Sequence, residues 1–269
     1  MYIGGHQSLI GGLKPEGMLD PFEPALILPE AKDPKNWLGG RLAFVDKDQT
    51  GFLSISYSNP GLMINTTMVK PEEITSFRDL LDPKWKGKIV STDPRVSGPG
   101  RSAYGLLYAT KELGPDVIRQ LGKQNITLFR DYIQGPEAVA QGKAAMCLGC
   151  DPAEVKKYKD QGLPLRLVDP KQIREGGAFL SGGIGVIALL NKAPHPNAAK
   201  VYLNWLLSKE GQTELGRSQS YSSRRLDVPN KDWTPAEMLP DDKFWNSYTE
   251  EGARVAEEMQ PVLREVFGS

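Results

Sequence analysis

Four short segments, each beside an apolar run, carry the residues in this chain that are best suited to bind a small ligand. Glycine in such segments lets backbone N–H groups come close to a ligand, and hydroxyl, guanidinium and phenol groups add polar contacts. In parallel α/β sheets, ligands bind beyond the carboxyl ends of the strands. The candidate binding residues are Gly4, Gly5 and His6; Ser97, Gly98, Gly100 and Arg101; Arg130, Asp131 and Tyr132; and Ser181, Gly182 and Gly183.

The segment from Ser97 to Arg101 has the most favourable composition, because a hydroxyl, two glycines and a guanidinium precede one predicted helix. The start of a helix directs free N–H donors and its positive dipole end at the same point. Arg101 could contact an anion or a carboxylate at two points. The alternative is a plain strand-to-helix turn with Arg101 in solvent, and the residues alone do not separate the two.

Motifs for enzymatic chemistry are incomplete. The run SGPGRSAYG lacks the Gly-Lys-Ser/Thr of a phosphate loop. Gly182-Gly183-Ile184-Gly185 stands before an apolar run, whereas a dinucleotide fingerprint needs a strand before it and a helix after it. Neither GxSxG nor HExxH occurs. We therefore expect no enzyme activity and no cofactor.

Cys147 and Cys150 form a CxxC motif. A zinc site would need two more ligands, and the chain has no other cysteine and only two histidines. The motif favours a buried strand end or a disulfide in an oxidising compartment. A cytosolic enzyme or redox protein that uses this pair is the alternative from a different class.

The composition excludes several partners. Lys plus Arg and Asp plus Glu both number 33 in 269 residues, so no electrostatic argument supports binding to nucleic acid or to an anionic membrane surface. No apolar run approaches the roughly 20 residues of a membrane span. The N-terminal residues lack the basic stretch and apolar core of a signal peptide.

The order of predicted elements indicates an α/β protein. A strand breaks at Asn59-Pro60-Gly61, and strands then alternate with helices from Lys88 to Val168, which favours a parallel sheet with crossover helices. The glycine-rich crossing at Ser181 leads into the apolar run Ile184 to Leu190. An amphipathic helix follows, and a helical pattern from Asp241 to Phe267 closes the chain. The apolar residues of the amphipathic helix are Ala198, Val201, Tyr202, Trp205 and Leu206.

Several segments carry a family signature. They are NKAPHPNAAKVYLNWLLSKEGQ, YSSRRLDVP, LLDPKWKGKIV and DPRVSGPG, within a resemblance that runs from Tyr2 to about Pro229. The chain resembles bacterial extracellular solute-binding proteins of ABC importers, in the family 1 branch that binds ferric ion or organic solutes. The resemblance implies a two-lobe periplasmic-binding-protein fold of type II, with parallel-rich sheets and crossover helices.

The same resemblance implies boundaries. Lobe 1 is expected at residues 1–61 plus 179–269, with lobe 2 inserted at residues 62–178. The family fold begins with a strand, a helix and a strand before the point where this chain starts, so we expect the first βαβ unit and the export signal to be missing. Family members lie in the periplasm or on the outer face of the cytoplasmic membrane. Tyr57 and Ser58 fall at the expected first hinge, where they would line the cleft; Tyr57 is alternatively a core residue.

The implied function is capture of a small, anionic or carboxylate-bearing solute between the lobes by hinge closure, and its delivery to an ABC permease. We expect a monomer without nucleic-acid partners. The sequence does not name the solute. Ferric-ion binding is the alternative, with His6, Tyr57, Asp131 and Tyr132 as its ligands. The ferric branch places adjacent tyrosines after the strand that here ends at Leu148, where this chain has Gly149-Cys150-Asp151, so we expect no metal.

Overall fold

The computed structural model describes residues 1–230 and 244–268. These residues divide into two compact units. Unit 1 comprises residues 1–57, 182–230 and 248–253, and unit 2 comprises residues 58–181, 244–247 and 254–268. Within the described part of the chain, no helix has both the length and the apolar character needed to cross a membrane.

The helices and strands alternate along much of the chain. The strands are β1 (Tyr2–Gly4), β2 (Leu19–Asp20), β3 (Gly51–Leu53), β4 (Ile55–Asn59), β5 (Leu62–Asn65), β6 (Ile89–Thr92), β7 (Thr127–Phe129), β8 (Met146–Leu148), β9 (Leu165–Leu167), β10 (Phe179–Ser181), β11 (Val186–Leu190) and β12 (Ser222–Ser223). The helices are α1 (His6–Ser8), α2 (Pro29–Lys32), α3 (Pro99–Ala109), α4 (Gly114–Gly122), α5 (Gln134–Ala140), α6 (Ala153–Asp160), α7 (Pro196–Leu207), α8 (Lys209–Gln219), α9 (Glu250–Glu258) and α10 (Gln260–Phe267).

Unit 1 is built on a sheet in which β11 is central and pairs antiparallel with β1, β2 and β3. All of Val186–Leu190 is apolar because this strand is largely buried on both faces. Helix α7 covers the core with Leu203, Leu206 and Leu207. Val201, Tyr202 and Trp205, which the sequence placed on the apolar side of this helix, are instead exposed by 41–67%. Two apolar stripes run along this helix, and the periodicity does not show which one is buried.

Unit 2 contains a five-stranded sheet in the order β7-β6-β8-β5-β9. The pairs of β6 with β7 and with β8 are parallel, and β5 pairs antiparallel with both β8 and β9. The predicted parallel arrangement therefore holds for three strands of unit 2, and the strand pairs of unit 1 described above are antiparallel. Helices α3 and α4 pack on this sheet, with Tyr104, Leu107 and Ile118 in the core.

Most of the described C-terminal tail, residues 244–247 and 254–268, lies in unit 2, whereas it was expected in lobe 1; residues 248–253 lie in unit 1. Helix α10 packs against α4, and its Val262 and Leu263 enter the unit 2 core. The helical pattern predicted from Asp241 is two helices, α9 and α10, and residues 241–243 lie outside the described residues. The tail was misplaced because an amphipathic pattern shows that a helix buries one face but not which core receives it.

Lys14 links three segments of unit 1. Its Nζ lies 2.9 Å from carboxylate oxygens of Asp46, Asp48 and Glu250. Burial alone raises the pKa of Asp46, but hydrogen bonds from Lys14, Gly51 and Thr50 outweigh it and leave the pKa below its ordinary value. The Asp46 side chain is fully buried, so its charge depends on these partners.

We expect Lys14→Met to destabilise the protein by about 3 kcal/mol, because it leaves a buried carboxylate without its cation. Urea unfolding at pH 7 measures this change. Lys47→Met is the matched control: the Lys47 side chain is 90% exposed and lies 3.9 Å from Glu250, so its loss should change stability by less than about 0.5 kcal/mol. Equal effects of the two substitutions would contradict the role given to Lys14.

Candidate functional site

The loop between β6 and α3 in unit 2 holds the strongest sequence-predicted segment. Helix α3 begins at Pro99 after Gly98, whose φ of 150° is open to glycine alone, and no side chain caps this helix start. The first turn lies at the positive dipole end of α3; Pro99 has no N–H group, and the Ser102 N–H donates to the Gly98 carbonyl oxygen at 3.2 Å. Ser97 is exposed beside this turn. That this segment offers backbone donors to a solute stays a prediction.

Gly100 is required for the position of α3. A Cβ on Gly100 would stand 2.2 Å from the carbonyl oxygen of Thr92, at the end of β6. Gly149, with φ of 68°, approaches the same turn, and its Cβ would stand 2.8 Å from the Gly100 Cα. The two glycines let the end of β6, the start of α3 and the loop after β8 meet at backbone distance.

Arg101 stabilises the loop that precedes it. Its Nε donates to the carbonyl oxygen of Pro94 at 3.4 Å, and its Nη2 donates to that of Arg95. Burial lowers the pKa of Arg101, and the carboxylate of Asp93 opposes this shift. The guanidinium is thus directed at the loop's own carbonyl groups. Its contact with a solute stays a prediction.

Asp93 and Arg95, which the sequence analysis did not single out, form the ion pair under this loop. Arg95 donates to both carboxylate oxygens of Asp93 at 2.9 Å and to the carbonyl oxygen of Phe267 at 2.8 Å. The hydrogen bonds from Arg95 hold the pKa of Asp93 below its ordinary value. This pair could have been predicted from the sequence, because an acidic and a basic residue stand two positions apart just after a strand.

The second predicted segment of unit 2 lies beside the first. The Arg130 side chain is 81% exposed, with its Nε 3.7 Å from Asp93. The hydroxyl of Tyr132 lies 3.0 Å from the point where a Cβ on Gly98 would stand. Asp131 accepts hydrogen bonds from the backbone N–H groups of Gln134 and Ile133, both at 2.8 Å, and these bonds lower its pKa. Asp131 therefore caps the start of α5.

In unit 1, the structure brings together the two predicted glycine segments. A Cβ on Gly5 would stand 3.7 Å from the carbonyl oxygen of Gly183. The His6 ring lies 4.7 Å from the ring of Tyr248 and is 3% exposed. A Cβ on Gly182 would stand 2.8 Å from the Tyr248 ring. The Tyr2 hydroxyl donates to the Gly5 carbonyl oxygen at 2.7 Å, and a Cβ on Gly4 would stand 2.5 Å from that hydroxyl.

Two tyrosines of this region were missed by the sequence analysis. Tyr221 lies against Gly183, and its ring makes a T-shaped contact with Tyr57 at 4.6 Å. Tyr248 lies against Gly182 and His6. Both come from distant segments, so no local pattern linked them to the glycines. Tyr57 is fully buried, consistent with the core alternative.

The chain passes between the two units at two places, each a few residues from an expected lobe boundary. The chain leaves unit 1 between Tyr57 and Ser58 and returns between Ser181 and Gly182. Ser58 is 2% exposed and Ser181 is 9% exposed. Ser181, predicted to belong to lobe 1 with the glycines after it, belongs to unit 2. The boundary was displaced because β10, which ends at Ser181, belongs wholly to unit 2.

Comparison with known proteins identifies the family. Residues 5–241 match the family described as "Bacterial extracellular solute-binding protein". The chain belongs to this family. An uncharacterized protein of Haemophilus influenzae is 29% identical over 174 residues, which are 61% of this chain and 46% of that protein. This solute-binding protein thus spans about half the length of the curated relative it matches.

Solved structures confirm the predicted type II periplasmic-binding-protein fold of this solute-binding protein. Iron-bound HitA from Pseudomonas aeruginosa has a TM-score of 0.70 at 22% identity and covers 99% of this chain and 81% of that chain. AfuA from Actinobacillus pleuropneumoniae is a periplasmic binding protein whose structure has fructose-6-phosphate bound. It has a TM-score of 0.65 at 21% identity, and the match covers 97% of this chain and 82% of that chain. At such identities the likeness shows the fold and does not indicate the solute.

The two cysteines of the solute-binding protein form a disulfide, Cys147–Cys150. This agrees with the prediction of a disulfide or a buried strand end. Among the described residues, no group of three or more His, Cys, Asp or Glu side chains could hold a metal ion. Of the four ligands in the ferric alternative, His6 and Tyr57 belong to unit 1, whereas Asp131 and Tyr132 belong to unit 2.

His6 gives the solute-binding protein a specific pH dependence. Burial lowers the pKa of His6 to about 4, and the unfolded chain protonates it near pH 6.5. The unfolded state therefore binds more protons between these values, so stability falls as the pH decreases through this window, by about 3 kcal/mol in total.

We expect His6→Phe to remove most of this pH dependence, because a phenylalanine ring cannot bind a proton. Urea unfolding of unit 1 at pH 7 and pH 4.5 measures it, with amide exchange in β11 as the unit 1 signal. His195→Asn is the control, since His195 is exposed and its variant should keep the wild-type difference. If His6→Phe lost as much stability between pH 7 and pH 4.5 as the wild type does, other groups would be the cause of the pH dependence.

Proposed function

We propose that this solute-binding protein captures a small anionic or carboxylate-bearing solute and delivers it to the permease of an ABC importer. The observation that supports the solute class is the start of α3, where an uncapped helix end and exposed Ser97 lie beside Arg101 and Arg130 in unit 2. Helix starts of this kind attract negative charge.

The local balance of charge favours an anion. The carboxylate of Asp93 accepts hydrogen bonds from Nε and Nη2 of Arg95. Asp131 accepts two backbone hydrogen bonds at the start of α5. Arg101 and Arg130 add positive charge at the same loops. A cationic solute would meet both guanidinium groups and the positive end of α3, which is unfavourable.

Binding is proposed to act through hinge closure. The chain passes between the units at two places, after Tyr57 and after Ser181. A solute that contacts groups of both units, the α3 start and the His6–Gly182 region, would stabilise the closed state by its differential affinity for that state. About 5.5 kcal/mol of such difference is enough to reverse a 99:1 population.

The cellular setting is proposed from the family. Its members are extracellular solute-binding proteins, so we place this protein in the periplasm or on the outer face of the cytoplasmic membrane. We propose that it acts as a monomer without catalytic activity, since binding and release need no chemical step. Ferric-ion binding stays the second candidate, because His6 offers a buried, neutral imidazole whose Nε2 has no hydrogen-bond partner and neutral imidazole is a metal ligand.

Calorimetric titration tests the proposal with inorganic phosphate, fructose 6-phosphate, citrate and ferric nitrilotriacetate. We expect at least one anion to bind and Arg101→Ala to weaken it by about 10- to 100-fold, as for the loss of a charge-assisted contact. Arg217→Ala is the control, because its side chain is 66% exposed on α8 of unit 1. Binding of ferric ion alone, with a new visible absorption band, would favour the second candidate. Unchanged affinity in Arg101→Ala would remove Arg101 from the site.

A further inference from the structure

The Cys147–Cys150 disulfide closes the loop that follows β8 in unit 2. Cys147 is fully buried and Cys150 is 4% exposed. The loop is short, and its contacts go to two places: the chain near the first crossing between the units, and the start of α3.

The contacts near the crossing are hydrogen bonds. Asn59, the last residue of β4, donates from Nδ2 to the carbonyl oxygen of Cys150 at 3.2 Å. Gly149 donates its N–H to the carbonyl oxygen of Gly61 at 2.8 Å. Asn59 also accepts from the Gly61 N–H at 2.9 Å. Asn59 is 1% exposed, so these bonds are protected from water and fix the turn between β4 and β5 to the disulfide loop.

The contacts with α3 are close packing. Gly149 approaches Gly100 and Ala103 so closely that a Cβ on Gly149 would stand 2.8 Å and 2.9 Å from their atoms. On the other side of the loop, a Cβ on Gly135 would stand 2.6 Å from the Cys150 sulfur. The loop is thus enclosed between α3 and α5, and a change in its backbone would be transmitted to the first turn of α3.

We propose that the disulfide is a positioning element for solute binding, which holds the β4–β5 turn and the α3 start in fixed relation within unit 2. The proposal rests on the function proposed above. Without the sulfur–sulfur bond, the loop gains conformational freedom that binding must remove. We expect opening the disulfide to lower solute affinity by about tenfold or more, with the fold retained.

The first test needs no ligand. Amide exchange of Gly61 and Gly149 is measured by NMR in the oxidised protein, in the protein reduced with dithiothreitol, and in Cys147→Ala/Cys150→Ala. Reduction adds two electrons and two protons to the pair and converts the reagent to its cyclic disulfide. We expect protection at these two amides to fall about tenfold in both altered forms. Leu121→Ala, which removes a buried side chain of the unit 2 core, is the control. It is examined at the urea concentration at which its stability equals that of the reduced protein and the double cysteine variant.

The outcome at these amides decides between positioning and general stabilisation. Loss of protection confined to the Gly61 and Gly149 region supports the proposal. An equal loss spread over unit 2, with the same pattern in Leu121→Ala, would overturn it.

The second test separates this inference from the proposed function. The reduction potential of the pair is measured with and without saturating fructose 6-phosphate, the probe from the titrations above. If reduction lowers affinity tenfold, linkage requires the probe to make the potential about 30 mV more negative, and a purely structural disulfide shows no shift. Binding that is equal in both redox states overturns the inference and leaves the function intact. Failure of every anion to bind, with the local exchange change present, overturns the proposed function instead.

Discussion

Gly100→Ala is expected to lower solute affinity by about 10- to 100-fold. The added Cβ would stand 2.2 Å from the carbonyl oxygen of Thr92 and 2.7 Å from its carbonyl carbon. Both are backbone atoms, so no side chain can rotate away to relieve the contact. The first turn of α3 must move from the end of β6, and the donors proposed to bind the solute move with it.

The same substitution should destabilise unit 2 by about 1–3 kcal/mol, the usual range for an overpacked site. Gly105→Ala is a matched control in the same helix, because its Cβ would have only an ordinary contact, 3.4 Å from Nε1 of Trp245. Removing a glycine from a helix interior stabilises it by roughly 0.5–1 kcal/mol. Calorimetric titration and urea unfolding of both variants give the comparison. Equal affinities in the two variants would refute the role of the α3 start.

Local signals in the sequence predicted the elements of the fold well. Proline and glycine at positions 60 and 61 separate β4 from β5, and Gly61 adopts the positive φ of 72° that such a break requires. In the segment from Lys88 to Val168, the predicted order of strands and helices agrees with the observed order. The order was predictable because each element carries its own start and stop residues. The expectation of an inserted lobe came from the family resemblance, because no local pattern indicates which segments share a unit.

In the loops of the proposed site, the backbone conformation could be predicted from the sequence, but the side-chain contacts could not. Gly98 and Gly100 were identified because glycine before a helix has few other uses. The directions of Arg101 and Asp131 were not predictable, since each has an alternative partner within its own loop that satisfies it. Tyr221 and Tyr248 were missed because they reach the glycine segments from distant parts of the chain. Sequence patterns specify local conformation, whereas these contacts depend on tertiary packing.

Leu263→Ala is expected to destabilise unit 2 by about 2–5 kcal/mol, the cost of removing a large buried side chain. Leu263 is fully buried in α10 and belongs to the core that contains Val117 and Ile118 of α4. This tail was predicted to belong to lobe 1, so the variant tests which unit it supports. We expect faster amide exchange in β6 and β8, with β11 of unit 1 unchanged.

Leu203→Ala provides the reciprocal experiment, because Leu203 is equally buried in α7 of unit 1. Its effect should appear in β11 and leave β6 and β8 protected. If Leu263→Ala exposed β11 to exchange as strongly as β6, the assignment of the tail to unit 2 would fail.

The tail also contacts the proposed site, so Leu263→Ala should weaken solute binding as well as stability. The Phe267 ring packs on Tyr104 of α3 at 5.6 Å, and the Phe267 carbonyl oxygen accepts a hydrogen bond from Arg95 beneath the loop between β6 and α3. Loosening α10 removes both supports at once. Under conditions in which unit 2 stays folded, Leu263→Ala should therefore still bind the solute more weakly than Leu203→Ala does. Equal affinity in the two variants would mean that the α3 start keeps its position without the tail.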